Sequence, residues 1–168
     1  MWRLSMLVLL VGLLTLIVIG CNKEITVDEQ TAAAYVKAQG YTIMKSNGQI
    51  DTYTLEKSKI FGPMESTPYQ QAWGVQKVEP DPYFGKAITV YGFTVANHPL
   101  EKIYHSNTKV SIILCEGKVI GGTSFPDDNG AMMRAGAPYS IDGKTLEEVT
   151  GMTFKEWMAN WKKKYGSS

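Results

Sequence analysis

The chain has 168 residues, 17 of them basic and 16 acidic, for a formal net charge of +1; 44% are hydrophobic and 11% aromatic. This is the length and composition of one ordinary globular domain. Balanced charge excludes the basic field of a nucleic-acid binder, the apolar content excludes wholesale disorder, and two cysteines exclude a disulfide scaffold.

In chain order, the first segment reads as an export signal. Arg3 and the amine form a short positive region, and an apolar run from Leu4 to Ile19 is interrupted only by Ser5, Gly12 and Thr15. It closes on Val18-Ile19-Gly20-Cys21, with a small residue directly before cysteine. This ending resembles a bacterial lipobox, with Val18 where Leu is commoner. The resemblance implies cleavage after Gly20 and thioether lipidation of Cys21. A signal anchor, or an ordinary cleavage site beside a free cysteine, are the competing readings. On the lipoprotein reading, residues 1–20 are the signal peptide, 21–25 a short tether and 26–168 a single domain. Losing Arg3 leaves 16 basic residues against 16 acidic, so the lipid supplies the membrane affinity rather than attraction to anionic headgroups. Asn22 to Ile25 extend at most about 14 Å, which places the domain close to the extracytoplasmic face of the cell membrane. Cys115 is then left alone, and a small buried residue is expected there.

Thr26-Val27-Asp28-Glu29 matches a capping box. It predicts a helix to about Gln39, stopped by Gly40, with Val27, Ala34, Tyr35 and Ala38 on its apolar face. Tyr41–Lys45 and Ile50–Leu55 are expected as two short strands about a Ser46-Asn47-Gly48 turn. Pro68 opens a short helix that ends near Gly74. Lys86–Ala96 is β-branched and apolar on both faces, the pattern of a central strand. Lys109–Cys115 and Lys118–Ser124 flank Glu116-Gly117 as a tight hairpin, and Gly121-Gly122 is expected to mark a bulge. Phe125–Pro138 is a 14-residue loop, a length that is often functional. A short helix is expected from Leu146 to Val149, stopped by Gly151. A second capping-box pattern at Thr153–Glu156 opens a C-terminal helix with Phe154, Trp157, Met158, Trp161 and Tyr165 on one stripe. The expected fold is α+β: an antiparallel sheet of about four to five strands packed by an N-terminal and a C-terminal helix.

Several of these segments together, Gly85-Lys86, Tyr91-Gly92-Phe93-Thr94-Val95, Asn97-His98-Pro99 and Gly117-Lys118-Val119-Ile120-Gly121-Gly122, resemble an uncharacterised domain of exported lipoproteins from Gram-positive bacteria. The helix ending at Gly40-Tyr41 fits the same pattern. The similarity covers roughly residues 30–124 and implies a domain, with no activity attached to it.

Chemistry-bearing motifs are sparse. His98 and His105 stand outside any zinc spacing, no serine sits in a Gly-x-Ser-x-Gly elbow, and no glycine-rich phosphate loop or cofactor motif is present. Asp127-Asp128-Asn129-Gly130 offers oxygen ligands without the alternation of an EF-hand. Arg134, the one arginine after residue 20, is a candidate clamp for a carboxylate or phosphate. Tyr69, Trp73, Tyr83 and Phe84 either build a groove or plug the sheet. The leading expectation is a membrane-tethered, non-catalytic module for an envelope protein partner or a small ligand. Its candidate binding residues are Arg134, Asp127, Asp128 and His98, with Phe125–Pro138 and Tyr69–Phe84 lining one surface. The alternative is an envelope hydrolase in which His98 or His105 meets Asp127 or Asp128 within about 3–4 Å or through one water. A third reading is a calcium- or anion-sensing domain built on the acidic loop and Arg134.

Overall fold

The computed structural model describes residues 25–127 and 136–166. The expectations for the signal segment, Cys21, Asp128 and Arg134 fall outside these residues. Helix α1 spans Val27–Ala38, and the Thr26 side chain accepts a hydrogen bond from the Glu29 amide. The capping box is only half made, because the buried Glu29 carboxylate instead accepts from Ser46 Oγ at 2.6 Å. That bond turns the helix. Its buried stripe is Glu29, Ala32 and Val36, spaced at i, i+3 and i+7, whereas Val27, expected inside, is 76% exposed. Ala34 and Ala38 are exposed as well.

Five strands form one antiparallel sheet in sequential order. They are β1 Thr42–Thr54, β2 Ala87–Ala96, β3 Thr108–Cys115, β4 Lys118–Pro126 and β5 Tyr139–Ser140. The two short strands expected around Ser46-Asn47-Gly48 are one long strand. Thirteen residues of β1 face ten of β2, and the mismatch is absorbed by register shifts at Ile43/Lys45, Ser46/Gly48 and Gln49/Asp51. The residues skipped are Met44, Asn47 and Ile50. Gly48, with φ of 70°, supplies a bulge here rather than a hairpin. The β3–β4 turn is the expected two-residue hairpin, with Glu116 and Gly117 at φ of 51° and 73°, as its primed turn type requires. A register shift opposite Ile113/Leu114 lies beside Gly121-Gly122. The two-residue strand β5 was not expected from its sequence.

The sheet has two faces. On one, Tyr91, Phe93, Val95, Val110, Ile112 and Leu114 pack against Ala32 and Val36 of α1. On the other, Ile88, Val90, Ile113 and Cys115 pack under Trp73, Trp157, Trp161 and Tyr165. The tryptophans come from helices α3, Thr67–Gly74, which follows the single turn α2, Lys57–Ile60, and α6, Phe154–Tyr165, which follows α4, Glu101–Tyr104, and α5, Leu146–Thr150. Both α5 and α6 open with complete capping boxes, from Thr145 and Thr153. The stripe on α6 is core from Trp157 onward, while Phe154, in its first turn, is 51% exposed. Trp161 donates from Nε1 to the Ile60 carbonyl at 2.9 Å, so its polar edge is satisfied in the core. Gly74 makes the helix approach feasible, since a Cβ there would lie 2.6 Å from Trp157 Cζ2.

Candidate functional site

The helices cover only half of the second face. The register sets out the boundary in rows. Val90, Ile113 and Gly121 form one row, Gly92, Ser111 and Thr123 the next, and Thr94, Lys109 and Phe125 the one after. On β2 and β3, large apolar side chains under the tryptophans give way within one row to small or polar ones. Helices bury apolar surface, and the Gly92 row offers them little to bury. The result is an open groove on the sheet.

Its larger part, about 630 Å³, is lined by Met44, Lys45, Asn47, Ile50, Gly92, Thr94, Asn107, Lys109, Ser111 and Asp127. An adjoining part of about 290 Å³ shares Ile50 and Ser111 with it and is closed by Tyr53, Pro68, Tyr69, Ala72 and Thr123, among others. The three bulge residues of β1, Met44, Asn47 and Ile50, all line the larger part. Bulges commonly re-aim side chains in this way. Ile50 leans over the floor, where a Cβ on Gly92 would meet Ile50 Cγ2 at 2.9 Å. Glycine at this position keeps the floor low.

The groove has two chemically distinct ends. At the α3 end Tyr53 and Tyr69 meet edge to face with centroids 4.7 Å apart. Lys59 Nζ lies 4.5 Å from the Tyr69 ring centre. Trp73 donates to the Tyr53 hydroxyl at 3.1 Å, and burial, against that hydrogen bond, pushes the hydroxyl's pKa up to about 12, so it stays neutral. At the other end Lys109 Nζ pairs with Asp127 Oδ1 at 3.0 Å. The Asp127 amide donates to Asn107 O at 2.7 Å, which fixes the carboxylate at the end of β4.

Of the expected site residues, Asp127 lines the groove and His98 does not belong to it. His98 is 2% exposed. Its Nδ1 accepts from the Leu100 amide at 3.2 Å and its Nε2 lies 3.0 Å from the Ile141 carbonyl, so the ring is the neutral Nε2–H tautomer. Burial lowers its pKa. Tyr41 stacks on it at 4.7 Å and donates to the same Ile141 carbonyl at 3.0 Å. Both ring nitrogens are thereby committed to backbone, in a latch that holds the β5 turn. His105 is exposed, in left-handed conformation at the end of α4. Cys115 is a buried free thiol whose pKa is raised by burial. Among the described residues no group of three His, Cys, Asp or Glu side chains is placed to hold a metal.

The Tyr69–Phe84 aromatics divide. Tyr69 lines the groove, while Trp73, Tyr83 and Phe84 plug the second core. Tyr69 and Asp127 thus lie at the two ends of one groove. Gly121 approaches a protein side chain: a Cβ there would collide with Gln76 Oε1. That oxygen accepts from the Gly122 amide at 2.8 Å and satisfies part of the β4 edge.

Of the groove residues that sequence reasoning missed, Gly92, Thr94 and Ser111 had a signal in the strand patterns, and Thr123 had none. Along one parity of β2, Ile88 and Val90 change to Gly92 and Thr94; along β3, Cys115 and Ile113 change to Ser111 and Lys109. Only the cross-strand register shows that the changes coincide. The chain matches no family model, no curated protein and no solved structure.

Proposed function

We propose that the protein is a non-catalytic binding module, tethered by lipid on Cys21 to the outer face of the cell membrane, which holds its ligand in the groove on the bare half of the sheet. The observation that carries the reading is the coincident change on β2 and β3 from Val90 and Ile113 to Gly92 and Ser111. A sheet that only had to fold would gain about 25 cal/mol for each Å² of apolar surface buried by extending its cover.

The tether fits this arrangement. Helix α1, whose first residue stands six positions after Cys21, packs on the face opposite the groove. Exposed Ile25 and Val27, at 59% and 76%, put apolar side chains at the end nearest the lipid. Anchored from that side, the domain keeps its groove open.

Thermal unfolding of the full chain in lipid nanodiscs, run against peptides, amino acids, neutral sugars and divalent metals, tests the binding reading. A concentration-dependent rise in midpoint that disappears in Ser111→Phe, where a ring fills the floor, supports it. A rise that survives the ring places binding elsewhere and overturns it, as does a panel with no rise at all. The anchor is tested by fractionation, with Cys21→Ala expected to leave the lipid-modified membrane pool; a variant still processed and retained identically contradicts lipidation.

A further inference from the structure

We infer that the ligand class of the groove is a neutral carbohydrate, a deepening that rests on the binding reading above. The first ground is unpartnered polarity. The hydroxyls of Thr94, Ser111 and Thr123 have no hydrogen-bond partner among the described residues. Thr123 lines the groove although its residue is only 9% exposed. Each of the three hydroxyls both donates and accepts, and Asn47 and Asn107 add amides that do the same at the rim.

The second ground is charge. The groove contains Lys45 and Lys109 against Asp51 and Asp127, so its lining is neutral, and Lys109 is already paired with Asp127. The lining therefore presents no cluster of one sign that would select an anion or a cation. The third ground is the sheet. Backbone groups of the inner strands β2 and β3 are spent on their ladders, so a ligand lying on this face is read by side chains alone. An extended peptide, which gains affinity from main-chain pairing at an edge, loses that advantage here. A sugar brings its own array of hydroxyls to meet the row. Its apolar ring face suits the Tyr53 and Tyr69 end, and a volume of about 630 Å³ lies within the usual range for ligand sites.

The test is an amide chemical-shift titration of the full chain in nanodiscs with cellotetraose, chitotetraose, glucose and, for comparison, tetra-alanine. Shifts centred on Gly92, Ser111 and Thr123, with a tetrasaccharide binding tighter than glucose, are expected. Preference for glucose over both tetrasaccharides would assign the groove to free monosaccharide rather than to glycan chains. Thr123→Val and Ser111→Ala, which remove a hydroxyl without filling the groove, should each weaken binding about fivefold or more, while the unligated spectra stay folded. Shifts at the same residues with tetra-alanine and none with any sugar would overturn the carbohydrate inference and leave the binding reading standing. Sugar shifts confined to other residues, or shifts unchanged by both variants, would overturn the two together.

Discussion

One face of one sheet is built in two ways. At the end carrying Ile88, Val90, Ile113 and Cys115, large side chains meet three tryptophans and Tyr165. At the end carrying Gly92, Thr94 and Ser111, the same strands in the same ladder meet solvent in an open groove. Backbone geometry is common to both, so side-chain size and polarity decide where the helical cover stops. Energetically the halves should behave oppositely: the covered half carries stability, and the open half is free to carry specificity.

The largest effect should come from the covered half. Trp161→Ala removes a ring buried to 7% exposure and its bond to the Ile60 carbonyl. It should cost about 3–5 kcal/mol, read as a drop in urea midpoint. A loss under 1 kcal/mol would blur the distinction between the halves. Gly74→Ala drives a methyl into Trp157, 2.6 Å from its ring, and should cost about 1–3 kcal/mol by overpacking. An unchanged midpoint would show that α3 and α6 can part without penalty.

A third prediction concerns the α1 face, where pH should act on the His98 latch. The folded pKa of His98 is lowered by burial, so below the ordinary value of about 6.5 the unfolded chain takes up a proton that the folded chain refuses. Stability is complete above about 6.5 and is lost as pH falls toward the folded pKa. Protonation also turns Nδ1 into a donor facing the Leu100 amide. Glu101 and Asp142 favour the charged ring, but burial outweighs them. Unfolding midpoints at pH 7.5 and 5.5 should therefore differ, with amide exchange rising first around Leu100 and the β5 turn. His98→Asn should flatten the slope between those values; an equally steep slope in the variant would assign it elsewhere. The smallest effect should belong to the groove. Thr123→Val and Ser111→Ala should leave stability within about 0.5 kcal/mol of wild type, because these hydroxyls make no internal bond. A larger loss in either would show that the row supports the fold.

The comparison also explains what was legible in the sequence. Local chemistry announced itself: Thr153 and Glu156 as a capping box, Glu116-Gly117 as a tight turn, and the apolar groups on both faces of Lys86–Ala96 as a central strand. Ser46-Asn47-Gly48 misled because a bulge and a hairpin use the same residue with positive φ, and only pairing with β2 distinguishes them. His98, flanked by Asn97 and Pro99, reads as a loop residue. Its burial depends on Tyr41 and Ile141, both more than 40 residues away in the chain. The groove escaped for the same reason, since a glycine, a serine and a threonine mean little until the register places them side by side. Asp127 was legible because it opens the Asp127-Asp128-Asn129-Gly130 run, whose oxygen ligands are conspicuous by themselves.

The most direct measurement compares two substitutions two positions apart on the same face of β3. Urea unfolding of Ile113→Ser and Ser111→Phe should move in opposite directions. Ile113→Ser should lose about 2–5 kcal/mol by leaving a cavity and a buried hydroxyl under the tryptophans, whereas Ser111→Phe should hold or gain stability by covering bare sheet. Comparable losses in both would contradict the account, because they would make the groove part of the core.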